Sequence, residues 1–553
     1  MLTSFIGVII LLGGLIFFHE LGHYSVAKFF NIKVEVFSLG FGKKIFRKQW
    51  GETEYTLSII PFGGYVKMMG DDPFKGVPAA EVERSFSTQK LYKRFLVVAA
   101  GPLANLLLAY VLFSVIFWNG QPTLSSKIGS VSVASPAWEA GIRPKDRVVE
   151  ALGKKITTWN ELEDTLKTQT VGEKADIKIQ REGSVLNLPV MLSKVRIRDS
   201  FGEEKEVTGI KGIAQYPLAS VVGISSTKSL AFQSGLRASD QITKIENRAV
   251  QTYEDLNEAL QASWEDGKTI SVTHKRKDDK GKDLPENTIS IKLPKLGKQL
   301  TPFGAAEALG IYPSEVFVRQ VTADSPASKA GLKAGDRIAK VGTTSVYNFE
   351  AIVDQVQENG SKGETIVLTL ERDGQLVSLT MTPVHTTLED PITHQPYKKY
   401  LVGFAPNTFS TEAETTKVQV REAGALISKA FTETNDLAYK MLLSLVKLAT
   451  GQISVKNLGG PVLIASVAGK SLDAGLIPFL QVMALISINL FLLNLFPIPV
   501  LDGGHLLFFT IEALKGKPVS IRTMEIANQV GMAVILMLVG LTLFNDITRI
   551  ILH

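Results

Sequence analysis

The stretch Gly14-Leu15-Ile16-Phe17-Phe18-His19-Glu20-Leu21-Gly22-His23-Tyr24 places three ionisable side chains in the middle of an otherwise uncharged apolar run. That run extends from Met1 to Ala27, and Lys28 is its first basic residue. A helix crossing a bilayer needs about 20 predominantly apolar residues, so the run is long enough to span. A cleaved signal peptide is the poorer reading, because the run lacks a basic start and carries Glu20 near its end. On a helix, positions i and i+4 share a face, so His19 and His23 can hold one zinc ion between them. Glu20, beside them, is placed to take a proton from a water at that ion. His-Glu-x-x-His arises by chance in many sequences, and here its setting gives it weight. Ionisable groups within a bilayer are costly and mark function more often than packing.

Three further apolar runs follow, Phe95 to Trp118, Ala474 to Leu501 and Ile526 to Asn545, while the middle of the chain reads as ordinary soluble protein. The mean hydropathy of +0.15 over 553 residues conceals this division. It excludes a purely soluble enzyme and also a transporter built wholly within the bilayer. The net charge is only +6, and no basic block with interleaved aromatics occurs, so nucleic acid is not an expected partner. Cysteine is absent, so disulfides and thiolate-bound metals are excluded. Thirteen basic residues flank the spans on the side of the loops 28–94 and 503–525, against four on the other side. The positive-inside rule therefore puts those loops in the cytoplasm and the soluble middle outside it. The pair Lys93 and Arg94 reads as an interfacial anchor.

Two histidines need a third protein ligand. Of the seven histidines, His274, His385, His394 and His553 fall outside the apolar segments, which leaves Asp502 and His505 as candidates. Spans one and three cross in the same direction, so Asp502, at the end of the third, lies at the same face as the histidine pair. A carboxylate also offsets the charge of a dication, so Asp502 is preferred to His505.

The middle holds an internal repeat. Ser135-Pro-Ala-Trp-Glu-Ala-Gly-Ile-Arg-Pro-Lys-Asp146 recurs as Ser229-Leu-Ala-Phe-Gln-Ser-Gly-Leu-Arg-Ala-Ser-Asp240 and as Ser325-Pro-Ala-Ser-Lys-Ala-Gly-Leu-Lys-Ala-Gly-Asp336. Trp159, Tyr253 and Phe349 keep the same offsets, so whole modules repeat. Each copy predicts a short helix ended by Gly, a strand, a second helix and alternating strands. The pattern resembles PDZ domains of the bacterial protease type, which add an extended peptide or C-terminus to a sheet edge. The second copy diverges most, with Ser239 in place of a turn glycine and a polar insert from Lys275 to Glu286.

His19-Glu20-Leu-Gly-His23, Gly101-Pro102-Leu-Ala-Asn105 and Asn494-Leu-Phe-Pro497-Ile-Pro499-Val-Leu-Asp502-Gly503 together resemble the site-2 protease family of intramembrane zinc metalloproteases. The four-span layout with intervening PDZ modules is similar to its regulator of sigma-E protease (RseP) type. The resemblance implies Zn2+ held by His19, His23 and Asp502, with Glu20 as general base and Asn494 touching substrate. It also implies that Gly40-Phe41-Gly42 and Pro61-Phe62-Gly63-Gly64-Tyr65-Val66 build a membrane-re-entrant β-structure pairing with extended substrate, so that Gly40, Phe41, Gly42, Gly63 and Gly64 are substrate-binding candidates. A third PDZ copy departs from the family's usual two.

The expected fold is therefore an α-helical membrane protein of four transmembrane helices with a re-entrant β element, plus three extracytoplasmic α+β PDZ-like domains. The expected division is 1–120 (zinc motif and spans one and two), 121–205, 206–298 and 299–400 (the PDZ-like copies), and 401–553 (spans three and four). The expected function is intramembrane zinc endopeptidase at a bacterial inner membrane, acting on single-span membrane proteins such as a trimmed anti-sigma factor or remnant signal peptides. Partners are then transmembrane substrates, membrane lipids, and extended peptides or C-termini at the modules. The alternatives are a membrane-tethered PDZ scaffold with a decayed metal site and, weakened by only four spans, a metal transporter.

Overall fold

The computed structural model describes residues 2–71, 77–198, 204–278, 281–295, 303–389 and 396–552, and they fall into two compact units. Met1–Gln121 and Lys417–His553 build the first, and Pro122–Asp390 with Pro396–Thr416 the second.

In the first unit four helices are long and apolar enough to cross a membrane: Phe5–Phe29 (within Leu2–Phe29), Leu91–Asn119, Leu476–Leu495 and Ile521–Arg549. Their shared core is aliphatic and aromatic, with Leu11, Leu15, Leu108, Phe113, Phe117, Phe479 and Ile488 buried. Small residues set the close approaches. A Cβ on Gly22 would stand 2.3 Å from the Ala100 carbonyl oxygen, so only glycine lets the first two helices meet there.

The third apolar run does not stay helical to Leu501, as the glycines and prolines of Asn494 to Gly504 lead one to expect. The helix ends at Leu495, Phe496 to Leu501 run irregularly, and a new helix, Asp502–Lys515, begins at the candidate ligand itself. Pro497 and Pro499 remove backbone donors here, which hydropathy does not register. Val500 is held at φ +84°, a costly conformation for a β-branched residue. Arg94 fixes the new helix to the second one. Its guanidinium donates to both carboxylate oxygens of Glu512, the shorter bond 2.6 Å, and lies 5.1 Å from the Phe509 ring centroid. It is therefore a clamp on the helix that carries Asp502, and not only the interfacial anchor its position suggested.

Between the first two long helices, Val34–Trp50 and Thr53–Met68 form one strongly bulged ribbon. Val34 to Leu39 face Met68 to Gly64, residues 36–39 also face 54–57, and Lys44 to Trp50 face Ser58 to Thr53. Four segments thus lie side by side, in the order 44–50, 53–58, 34–39, 64–68. Gly40, Phe41 and Gly42 lie inside the first strand, in keeping with the β-structure expected of them, and both glycines turn it at φ +88°.

The second unit repeats one device three times. Ser135, Ser229 and Ser325 each cap a short helix by accepting a backbone N–H. The motif aspartates Asp146, Asp240 and Asp336 are buried, and each takes a bidentate pair from an arginine, Arg181, Arg276 or Arg372. The same arginine reaches back to the carbonyl of the glycine ending that helix, Gly141, Gly235 or Gly331. A four-stranded antiparallel sheet follows in each copy, over a separate apolar core. The polar insert of the second copy sits in the hairpin between Thr269–Lys275 and Asn287–Lys292, with residues 279 and 280 outside the described residues.

The expected module limits at 205, 298 and 400 each fall short of a closing strand. Ile213–Ala214 pairs with Ser130–Val131, Ile311–Pro313 with Val222–Ile224, and Phe404–Pro406 with Val318–Val321. Residues 401–416 accordingly belong with the second unit rather than with the C-terminal membrane region. Strands of two or three residues carry too little periodicity to be read from the chain.

Burial pushes the Glu315 carboxyl up from its ordinary value near 4.5 to about 7, although it accepts a hydrogen bond from the Phe349 amide. The folded state thus keeps a proton that the unfolded chain releases, and its contribution is full below about pH 4.5 and lost as pH rises through 7. Hydrogen exchange in Phe349–Lys362 should therefore speed up between pH 5 and 8 beyond the intrinsic rate change. Glu315→Gln should remove that excess, by roughly 1–3 kcal/mol of opening free energy at pH 8. An unaltered excess in the variant would assign it to another group.

Candidate metal centre

His19 and His23 lie one turn apart on Leu2–Phe29, with their imidazoles edge to face at 4.8 Å between centroids. Asp502, the first residue of its helix, completes the set: the ligand atoms of all three lie within 4.8 Å of one another. His19 Nε2 stands 3.1 Å from Asp502 Oδ2, His23 Nε2 stands 3.6 Å from Oδ1, and the two Nε2 atoms are 3.2 Å apart. A tetrahedral zinc with bonds of about 2.0–2.1 Å requires ligand atoms about 3.3 Å from each other. Spacing and donor types both fit that ion. All three side chains are largely buried, at 11–19% exposure. Among the described residues no other cluster of this kind occurs, and His505, one turn beyond Asp502, stays outside it.

The surroundings prepare the centre for a cation. His23 Nδ1 donates to the Val97 carbonyl (2.9 Å), which leaves its Nε2 a bare lone pair. That lone pair faces a carboxylate and a second imidazole, an arrangement that is repulsive until a cation enters. Gly101 supplies the room. A Cβ there would lie 2.3 Å from His23 Nε2 and 2.9 Å from His19 Nε2. Pro102 follows it and, lacking an N–H, interrupts the helical ladder in the same turn. In the sequence Gly101 and Asn105 are motif residues with no local pattern that marks these tasks. The buried Asn105 amide lies 3.3 Å from His19 Nδ1.

The remaining expected site residues are brought together only in part. Gly64 packs against the first helix: a Cβ there would stand 2.9 Å from Ile16 Cγ2 and 3.2 Å from Glu20 Cγ. The 64–68 segment therefore runs beside Glu20. Gly63, at φ +120°, accommodates the Phe41 ring, which would overlap any Cβ, and Phe41 stacks on Tyr65 at 6.2 Å. Asn494 is half-buried, next to the last residue of Leu476–Leu495. Among the described residues no hydrogen bond joins it to His19, His23 or Asp502.

The model of peptidase family M50 matches residues 7–538. The chain belongs to that family. Its relatives include the regulator of sigma E protease of Haemophilus influenzae, 32% identical with 98% of each chain covered. A putative zinc metalloprotease of Pasteurella multocida is 31% identical over 99% of each chain. The regulator of sigma-E protease RseP of Escherichia coli is 31% identical over 99% of this chain and 98% of its own. As a member of family M50 the chain is a zinc metalloprotease of the regulated intramembrane proteolysis type, and the scaffold and transporter alternatives fall away.

Gly101→Ala should push the imidazoles apart without altering a ligand. Zinc content of the purified protein should fall, and protease activity should drop on the order of 100-fold. Gly13→Ala, whose Cβ would meet nothing within 4 Å, is the matched control and should leave both unchanged. Full zinc occupancy in Gly101→Ala would show that the centre tolerates the extra methyl.

Proposed function

We propose that this M50 peptidase cleaves transmembrane segments of single-span proteins at a bacterial inner membrane, with His19, His23 and Asp502 as zinc ligands and Glu20 as general base. The observation that carries the reading is the convergence of two imidazoles and a carboxylate on a helix that is otherwise apolar enough to span. Zinc bound there supplies a Lewis acid for the scissile carbonyl and makes a nearby water more acidic. Glu20 takes the proton of the attacking water and returns it to the leaving amine. Asp502 lowers the net charge of the centre and pins the irregular segment before it to the histidine helix.

A transmembrane substrate hides its backbone in its own helix and must unwind to be cut. The 64–68 segment pairs with 34–39 along one edge only among the described residues, and Gly64 sits against Glu20. An unwound substrate adding to the other edge would run past the general base, with Gly40, Phe41, Gly42 and Gly63 shaping that edge and Asn494 contacting the extended chain. The basic flanks of the spans support an orientation with this centre near the cytoplasmic face and the repeated modules outside the cytoplasm.

The modules are PDZ-like and differ in their grooves. A cavity of about 740 Å³ lies between the helix opened by Trp159 and the helix opened by Phe349 and is lined by both copies, and one of about 420 Å³ lies within the third copy, between the Phe349 helix and Tyr400 to Ala405. In the second copy the corresponding Tyr253 is buried, donates to the Ile311 carbonyl (3.2 Å) and packs on Phe303. The short helix Gly304–Ala308 fills the remaining space with Ala305 and Ala306. The third copy is thus the one whose own groove leaves room for an extended peptide or C-terminus, and the second serves as a spacer.

Glu20→Gln should lower the rate of cleavage on the order of 10²–10⁴-fold while zinc content stays at the wild-type level, because it removes a proton acceptor and no ligand. Asp502→Asn should weaken zinc binding together with activity. Zinc loss in Glu20→Gln, or full zinc and activity in Asp502→Asn, would overturn the assigned roles.

Replacing residues 122–416 by a short linker removes the second unit whole. The remaining chain should bind zinc, cut a substrate whose extracytoplasmic domain has been trimmed, and begin to cut the untrimmed form. This is read by immunoblot after co-expression. Loss of cleavage of the trimmed form in a zinc-loaded protein would mean that the modules present substrate rather than exclude it.

A further inference from the structure

Asn105 is fully buried on the second long helix, Leu91–Asn119, and its side-chain Oδ1 has no hydrogen-bond partner. Its Nδ2 lies 3.3 Å from His19 Nδ1, on the side of the ring away from Asp502. The backbone of the same residue is secured separately, since the buried Ser487 hydroxyl donates to the Asn105 carbonyl oxygen at 2.7 Å. The helix position is therefore held by one contact, and the amide is free to serve another.

Two orientations of the amide fit this space, because oxygen and nitrogen are nearly the same size. With Nδ2 toward the ring, His19 Nδ1 must accept, so the ring proton sits on Nε2. It would then point at His23 Nε2 and Asp502, and Nε2 could not bind a metal. With the amide turned over, Oδ1 accepts from Nδ1–H and Nε2 carries a bare lone pair into the centre. The turn leaves the Nδ2 hydrogens in the place where Oδ1 was unpaired, so the number of satisfied groups hardly decides between the two. The other end of the imidazole does. His23 is already fixed as the Nδ1–H tautomer by the Val97 carbonyl, and a cation at the centre requires His19 to match it.

We propose that Asn105 is a positioning residue for the metal centre: its Oδ1 accepts from His19 Nδ1–H and holds that ring as the tautomer whose Nε2 faces the ion. Each imidazole is then oriented by the same helix, His23 through a main-chain carbonyl and His19 through a side-chain one. The inference rests on the reading of His19 as a zinc ligand and deepens it.

The test is zinc affinity of the full-length protein in detergent, by competition with a chromogenic chelator, for Asn105→Leu, Asn105→Asp, Ser487→Ala and His19→Ala. Asn105→Leu keeps the volume and loses the acceptor, and its affinity should fall about 10–100-fold. Asn105→Asp keeps an acceptor toward Nδ1–H and should stay within a few-fold of wild type. Ser487→Ala disturbs the same packing but not the amide, and should also bind as wild type. Wild-type affinity in Asn105→Leu, or equal losses in the Leu, Asp and Ser487→Ala variants, overturns the proposal, the second outcome marking a packing effect. His19→Ala should lose the site altogether. If it binds zinc normally, the ligand assignment beneath the proposal has failed, and not the orientation argument alone.

Discussion

Two imidazole nitrogens and a carboxylate held 3.1–3.6 Å apart, largely out of water, repel one another until a cation is present. Much of the first unit can be understood as the means of holding that repulsive set in place. Gly22 and Gly101 bring the second helix close enough for Val97 and Asn105 to reach the two rings. The Arg94–Glu512 pair ties the helix that starts at Asp502 to the same second helix. The second helix supplies none of the three side chains of the set, yet both imidazoles and the helix that begins at Asp502 are located through it.

The broken third span follows from the same requirement. A helix continuous to Leu501 would carry Asp502 onward along its own axis. Ending the helix at Leu495 and restarting it at Asp502 lets the chain turn the carboxylate toward the histidines. The turn is tight: a Cβ on Gly503 would lie 2.1 Å from the Phe496 carbonyl oxygen, and Val500 is forced to φ +84°. Strain of this kind persists only where surrounding contacts over-determine the backbone. The irregular segment also leaves main chain outside any helical ladder beside the triad, and in a bilayer such main chain must be covered by protein.

The second unit follows a different economy. Each module is stapled by a buried aspartate with its arginine, and that arginine also reaches the carbonyl at the end of the capped helix. Removing the arginine would leave the buried aspartate without its bidentate partner. The surroundings of each module's second helix vary between copies. Trp159 and Phe349 both border cavities, whereas Tyr253 donates to the Ile311 carbonyl and shares a core with Ala305 and Ala306.

The sequence by itself determined the properties that depend on neighbours along the chain. Apolar length, the i,i+4 spacing of His19 and His23, the absence of cysteine and the threefold repeat are all local or compositional, and they were legible residue by residue. The family, and zinc with it, was read from the resemblance carried by the motifs at His19–His23, Gly101–Asn105 and Asn494–Gly503. What only the tertiary structure decided depends on approach between distant segments. It showed Asp502 at the start of a new helix, Arg94 as a clamp, Gly101 as the space for two imidazoles, Asn105 against His19, and short closing strands beyond each expected module limit. A close approach between helices is set by which small residues face each other, and a strand of two residues is set by its partner. Neither leaves a periodic trace in one chain, so both became visible only once the segments were packed.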